Sequence, residues 1–334
     1  MQLNAKARPR FPTLAGFCFH PAMPLAPALF DLQINGYAGV DFQDPELTEN
    51  HLHNALDALQ ATGTRRLLLT LITDQLDALE NKFRRLEKMR ARSPFIAEMV
   101  CGYHLEGPWL SPEEGYRGAH PGELMCAPDL AAFKRLQKAA GGNIRLLTVA
   151  PEWPGSAEFI AAVASPRVII SLGHTNASEA QIDDAIRAGA TMVTHLGNGC
   201  PVTLPRHDNV IQRLLARDEL IACLIPDGAH IPPYALRNFF RAKPPGKVLL
   251  TTDAMAAAGA APGRYRIGRL EVESRDGVVR APGSANLAGS CLTPAQGVAN
   301  AARWLGIPVS EARAMFSKRV AEVFGIDLPM IEFR

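Results

Sequence analysis

"RVIISLGHTNASEAQIDDAIRAGATMVTHLGN", residues 167–198, is the stretch whose reading decides the fold. It holds two short apolar runs, 167–173 and 190–196, of the length and composition of buried strands. Between them "DDAIRAGA" has a helical pattern, with Ser178 placed as an N-cap and Glu179 after it. A strand, a helix and a second strand in so few residues is a βα repeat, which a parallel sheet requires. The first run is followed at once by His174, and the second carries His195 near its end.

The same alternation continues outward in both directions. Further strand candidates lie at about 29–34, "RLLLTLIT" at 66–73, "EMVCGYH" at 98–104, "IRLLTVA" at 144–150, "LIACLIP" at 220–226 and "KVLLTTD" at 247–253, which makes eight. Residues 76–92, "LDALENKFRRLEKMRAR", carry apolar side chains at 76, 79, 83, 86 and 89, one face of a helix. Eight such units predict a closed α/β barrel of the (β/α)8 TIM-like type. After the eighth strand the alternation in "GRYRIGRLEVESRDGVVRAPGSANLAGS", 263–290, and its "RDG" turn predict a hairpin inserted near 262–286. Two last helices follow, at about 293–305 and 310–324. The expected organisation is a Pro-rich strap at 1–28, the barrel at 29–326 and a short tail at 327–334.

Composition narrows the function. The 35 basic and 33 acidic residues are interspersed and leave a net charge of +2, which offers no basic face for nucleic acid. Six cysteines form no CxxC pair, so neither a zinc knuckle nor a disulfide scaffold is expected, and reduced thiols in the cytoplasm are. Pro12, Pro21, Pro24 and Pro27 interrupt the N-terminal stretch, against a signal peptide. No run of 18 apolar residues would span a membrane. A small-molecule substrate is the remaining expectation.

In a barrel, catalytic groups gather where the strands end, because the loops there converge. The third strand candidate leads to His104 and Glu106, the fifth to His174, the sixth to His195, the seventh to Asp227 and His230, and the eighth to Asp253. Glu106, His174 and His195 form a carboxylate and two imidazoles, a donor set for Zn²⁺ or a similar divalent ion with one position open. Asp253 reads as a general base facing that ion. His51 and His53 form H-x-H within "LTENHLHNALDALQATG", but on a helix, where residues two apart diverge by about 200° and cannot share an ion. In "FDLQINGYAG", 30–39, Asp31, Gln33 and Asn35 share one face of the first strand and point into the mouth.

"GYHLEGPWLSP", "GAHP", "SLGHTNAS", "THLGN", "PDGAH", "LLTTDAMAAAG" and "LAGSCLT" occur in the order and approximate spacing of the N-acetylglucosamine-6-phosphate deacetylases, a branch of the amidohydrolases, which the chain resembles from about residue 29 to 324. The resemblance implies deacetylation of a phosphosugar, with Glu106, His174 and His195 as metal ligands and Asp253 as acid and base. It assigns His120 to the acetamide carbonyl, with Ala119 beside it, and Asn198 and Gly199 to sugar contacts. Leu287, Ala288 and Gly289 would form a closing loop, Arg206 and His230 a phosphate-binding pair, and Asp227 is expected among the substrate contacts. Arg206 would enter from the neighbouring subunit, which implies a homodimer.

Two departures stand out. The family's small β-sandwich has little sequence to form it, so it is expected to be missing or reduced, and Gly197 of "HLGNGCP" stands where a bulkier aromatic is common, which predicts a wider site or a looser loop. Related enzymes carry two histidines on the first strand, where Gln33 and Asn35 stand here, so a single divalent ion is expected: Zn²⁺, or Fe, Mn, Co or Ni. Asp31 is expected to accept hydrogen bonds near the mouth. The alternatives are deacylation of another N-acyl amino sugar or of an N-acyl amino acid, or a non-catalytic sugar-phosphate-binding barrel.

Overall fold

A parallel strand buried on both faces needs helices on one side and a filled interior on the other, and the apolar runs of this chain have both. A computed structural model describes residues 25–283 and 286–332; most of the expected strap lies outside the described residues. Eight strands form one parallel sheet in chain order: β1 (Leu29–Ile34), β2 (Thr64–Ile72), β3 (Val100–Glu106), β4 (Ile144–Val149), β5 (Ile169–Leu172), β6 (Ala190–Val193), β7 (Ile221–Leu224) and β8 (Val248–Leu250). Helices cross between successive strands and pack outside. The helix Leu76–Arg92 buries Leu79, Phe83, Leu86 and Met89, and Phe83 meets Tyr103 of β3 edge-on at 5.2 Å. Each such side chain contributes roughly 1.5–3 kcal/mol. Ser178 caps the helix Glu179–Ala188 through a reciprocal pair with Gln181, and Gly189 ends it at φ 115°.

Three local expectations needed correction. Ser93 and Pro94 start a short helix, Pro94–Met99, with Ser93 accepting from the Ile96 N–H, so β3 begins at Val100 rather than at Glu98. The insertion after β8 is a three-stranded antiparallel sheet instead of one hairpin: β9 (Gly263–Ile267), β10 (Leu270–Arg275) and β11 (Val278–Arg280). Gly268 makes the extra turn at φ 59°, while Asp276 and Gly277 make the foreseen one at φ 53° and 76°. The last predicted helix is two, Val309–Met315 and Lys318–Phe324, because the Ser317 hydroxyl donates to the Arg313 carbonyl at 2.7 Å. That break turns the Phe316 carbonyl toward β1, where it accepts from the Phe30 N–H at 2.8 Å.

Outside the barrel and the inserted sheet, the strands among the described residues are a ladder between Leu25–Pro27 and Met330–Glu332 and a small hairpin at 36–41. These do not make a sandwich. Five cysteines are described, and all are unpaired. Among the described residues no helix is long and apolar enough to cross a membrane.

Between β8 and β1 no ladder forms; just past their ends the N–H groups of Asn35, Ala38 and Gly39 donate to the carbonyls of Ala254, Ala258 and Ala256, each at 2.7 Å. The fully buried Asp31 completes the seam. Its Oδ1 accepts from the Thr251 hydroxyl and its Oδ2 from the Thr252 hydroxyl, both at 2.6 Å, with the Thr252 N–H at 3.2 Å from Oδ2. Asp31 is thus an acceptor, but its donors belong to the barrel wall just below the mouth.

Burial pushes the Asp31 carboxyl from 3.8 up to about 6, against the pull of Thr251, Thr252 and Gln33. A carboxyl whose folded pKa lies above its unfolded one favours the fold when protonated, so its contribution is complete below about pH 4 and is lost as pH rises through about 6, a swing of about 3 kcal/mol. Denaturant unfolding at a series of pH values should therefore show wild type losing stability relative to Asp31→Asn across that window. Parallel pH profiles would contradict the assignment.

Candidate active site

Of the strand-end residues singled out above, Glu106, His174, His195, His230 and Asp253 line one cavity at the C-terminal mouth, and three of these have unusual backbones. His174, His195 and Asp253 adopt φ of 50°, 28° and 50°. Non-glycine residues rarely occupy that region, and each such residue costs of order 1–3 kcal/mol. The bend turns each side chain from the strand direction into a cavity of about 690 Å³. Gly118 and Gly199 clasp the His174 ring: a Cβ on Gly118 would fall 2.9 Å from its Cε1, and one on Gly199 2.8 Å from its Nδ1.

Glu106, His174 and His195 are all buried, and their inward atoms converge. Glu106 Oε1 lies 2.9 Å from His195 Nε2 and 3.2 Å from His174 Nε2, and the two Nε2 atoms are 3.1 Å apart. A tetrahedral ion with bonds of about 2.0–2.1 Å would need edges of about 3.3 Å, close to this triangle. His174 Nδ1 donates to the Tyr116 carbonyl at 2.9 Å, so its Nε2 lone pair faces inward. His195 Nδ1 is buried and has no partner among the described residues. Two imidazole nitrogens facing each other beside a carboxylate leave a place that suits a cation. Among the described residues this is the one group of three or more such side chains fit to hold a metal ion.

Gln33 and Asn35 turn their NH2 groups to the carboxylates, and their carbonyl oxygens, Gln33 Oε1 and Asn35 Oδ1, are buried without a partner among the described residues. Gln33 Nε2 donates to Glu106 Oε2 at 3.2 Å, and Asn35 Nδ2 donates to Asp253 Oδ1 at 2.7 Å. Burial, and next the charge of Glu106, push Asp253 up to about 7. His120 is buried, with Nε2 4.0 Å from Glu106 Oε2 and Nδ1 2.9 Å from the Thr73 hydroxyl. Burial drives its pKa down to about 3, so the ring is neutral.

Ala119, Asn198, Gly199, His230, Leu287, Ala288 and Gly289 all line the cavity. Asp227 does not; its Oδ2 accepts from His230 Nδ1 at 2.6 Å and its Oδ1 from the Ala229 and His230 N–H groups. Arg206 is exposed and outside the wall, on a loop whose Pro201, Val202 and Leu204 do line it. His104 points into the barrel interior, 2.7 Å from the Thr148 hydroxyl, where burial lowers its pKa to about 4. His53 pairs with Asp57 on the surface of the helix Glu49–Ala61.

Gly197 does not widen the site. A Cβ there would fall 2.9 Å from the Phe239 ring, which fills the place from the helix Pro233–Ala242. Sequence reasoning missed Thr73, whose bond to His120 joins residues 47 apart in the chain, and Arg280, which lines the cavity from the end of β11. Neither carries a local sequence signal.

A buried carboxylate and two imidazoles around one point, with an aspartate closing the eighth strand of a parallel barrel, define a metal-dependent amidohydrolase. No protein-family model matches the sequence. The chain is 32% identical over 304 residues to the N-acetylglucosamine-6-phosphate deacetylase of Bacillus subtilis (strain 168), covering 90% of this chain and 76% of that one. It is 32% identical over 306 residues to the N-acetylgalactosamine-6-phosphate deacetylase of Escherichia coli O157:H7, covering 91% and 78%. A solved structure of a mutant N-acetyl-D-glucosamine-6-phosphate deacetylase from Mycobacterium smegmatis, in complex with N-acetyl-D-glucosamine-6-phosphate, superposes with a TM-score of 0.83 at 30% identity, over 92% of this chain and 80% of that one. The chain belongs to the N-acetylglucosamine-6-phosphate deacetylase family.

The glycine clasp is testable. Gly199→Ala should lower divalent-ion affinity by about tenfold or more, because it displaces the ring of a ligand. Gly142→Ala is the control, since Gly142 also has a left-handed φ (79°) but nothing within 4 Å of its added Cβ. Equal effects of the two substitutions on ion affinity would count against the clasp.

Proposed function

We propose that this chain hydrolyses the acetamide of N-acetylglucosamine 6-phosphate to glucosamine 6-phosphate and acetate, using one divalent ion, Zn²⁺ in the first instance, with Fe, Mn, Co or Ni compatible with the same donors. The observation that carries the reading is the convergence of Glu106, His174, His195, Asp253 and His120 on one cavity in a member of this family. Glu106, His174 and His195 would hold the ion. When bound, it polarises the acetyl carbonyl and lowers the pKa of water from about 15.7 toward about 7.

Asp253 is the base. Asn35 occupies its Oδ1, which leaves Oδ2 to take the proton of the attacking water and deliver it to the departing sugar nitrogen. His120 holds the developing oxyanion through Nε2–H. For a neutral imidazole that requires Nδ1 to accept, so the Thr73 hydroxyl must give its one proton to His120, at 2.9 Å, rather than to the Glu106 carbonyl, at 3.4 Å. A preorganised donor of this kind contributes about 2.7–4 kcal/mol to the transition state.

Asp227 holds the His230 ring through Nδ1–H, so Nε2 donates to a phosphate only in the imidazolium form, with a proton on both ring nitrogens. Asp227 is a positioning residue. Arg206 completes the phosphate site from a second copy of the chain in a homodimer. Its exposure, and that of Val202 on the same loop, support this reading.

A second reading has one observation behind it. A relative equally similar to this chain bears the name of the galactosamine epimer, so N-acetylgalactosamine 6-phosphate belongs in the same assay. Acetate release from both phosphosugars and from free N-acetylglucosamine should favour the phosphosugars by about a hundredfold or more in kcat/KM, as expected for a buried charged contact. Equal rates on the free sugar would overturn the phosphate assignment. Asp253→Asn should retain its metal and lose about a thousandfold in turnover; near-normal turnover would remove Asp253 from the mechanism.

A further inference from the structure

A second cavity of about 380 Å³ adjoins the first, and the two share the walls Ile72, Ala119, His120, Leu287 and Ala288. Its near part is apolar, formed by Ile72, Ile267, Leu270 and Pro121. Its remaining wall carries Lys82, Arg117 and Arg269 with one carboxylate, Asp74, and the neutral polar Gln43, Thr73 and Asn286, and Asp41 lies close enough to Lys82 to feel its charge. Asp74 is already shared: its Oδ2 lies 2.9 Å from Lys82 Nζ and its Oδ1 2.9 Å from Arg269 Nη2. Lys82 is itself buried, only 8% exposed. Arg117 is half-buried; its backbone pairs with the Glu113 carbonyl and the His120 N–H, but its guanidinium has no hydrogen bond or ion pair among the described residues.

A half-buried guanidinium with no counter-ion, beside a carboxylate that already serves two cations, is an unbalanced positive field in a partly desolvated space. Such a place recognises an anion, and a guanidinium matches a carboxylate best when it offers two parallel N–H donors. This cavity begins at His120, the residue that the reading above assigns to the scissile carbonyl. The group attached to that carbonyl carbon is the acyl chain.

We infer that the cavity behind His120 is an acyl subsite that admits N-acyl groups longer than acetyl and ending in a carboxylate, with Arg117 as the recognising cation. The inference rests on the deacetylase reading. The added reaction is the same hydrolysis: water adds its OH to the acyl carbon, the C–N bond breaks, and the amine leaves with the proton. The products from an N-succinyl substrate are succinate and glucosamine 6-phosphate.

The test compares N-acetyl-, N-butanoyl- and N-succinyl-glucosamine 6-phosphate with the metal-loaded wild type, Arg117→Ala and Arg117→Lys. The wild type should hydrolyse the succinyl compound more efficiently than the butanoyl one. Arg117→Ala should lower kcat/KM for the succinyl substrate by about thirtyfold, as for the loss of one charge-assisted hydrogen bond, and change the acetyl and butanoyl values by less than about threefold. Arg117→Lys should recover part of the loss. Acetyl turnover without succinyl turnover, or an equal loss on all three substrates in Arg117→Ala, would overturn the subsite while leaving the deacetylase reading intact. Failure to release acetate from the acetyl substrate would defeat the deacetylase reading itself.

Discussion

The barrel closes on one carboxylate. Seven strand pairs are held by parallel ladders, but the eighth junction, between β8 and β1, has none: Asp31 accepts from Thr251 and Thr252 there, and backbone bonds from Asn35, Ala38 and Gly39 to Ala254, Ala258 and Ala256 join the segments just past the strands. A buried carboxylate with this many donors is expensive to leave unpaired, so the seam has one register. That register brings Asn35 of one edge against Asp253 of the other, at 2.7 Å. The orientation of the proposed base therefore depends on the closure of the fold.

From the seam the polar groups of β1 pass inward in order. Asp31 closes the wall, Gln33 donates to Glu106, and Asn35 donates to Asp253. The strand contributes neutral amides, poor ligands beside imidazole and carboxylate, and their NH2 groups are committed to carboxylates of the site, while Gln33 Oε1 and Asn35 Oδ1 are buried without a partner among the described residues. Around them the left-handed backbones of His174, His195 and Asp253 keep three side chains aimed at one point, and the cost of those bends is offset by the packing of the strands beneath. Gly118 and Gly199 leave room for the His174 ring where a Cβ on either would crowd it.

Much of this was legible in the residues themselves. Apolar runs separated by helical patterns revealed eight strands, and the polar residue types at the strand ends revealed the donor set, because a barrel brings strand ends together whatever their separation in sequence. What could not be read depended on tertiary contact. Thr73 is an ordinary threonine until the fold sets it on His120. Asp227 looked like a substrate contact, but its short reach to His230, three residues on, uses up its carboxylate. Gly197 suggested open space, and a phenylalanine from a distant helix fills it. The helix break at Ser317 needed a side chain competing for a backbone carbonyl. Left-handed φ at histidine and aspartate has no signature in residue type.

The central claim is that one ion, held by Glu106, His174 and His195, serves this site, and that Gln33 and Asn35 hold none. Anomalous X-ray scattering at the Zn edge from crystals of the zinc-loaded protein tests it most directly. The account predicts one peak, with donor distances of about 2.0–2.2 Å to those three side chains. A second fully occupied peak against Gln33 and Asn35, or a single peak elsewhere, would contradict it.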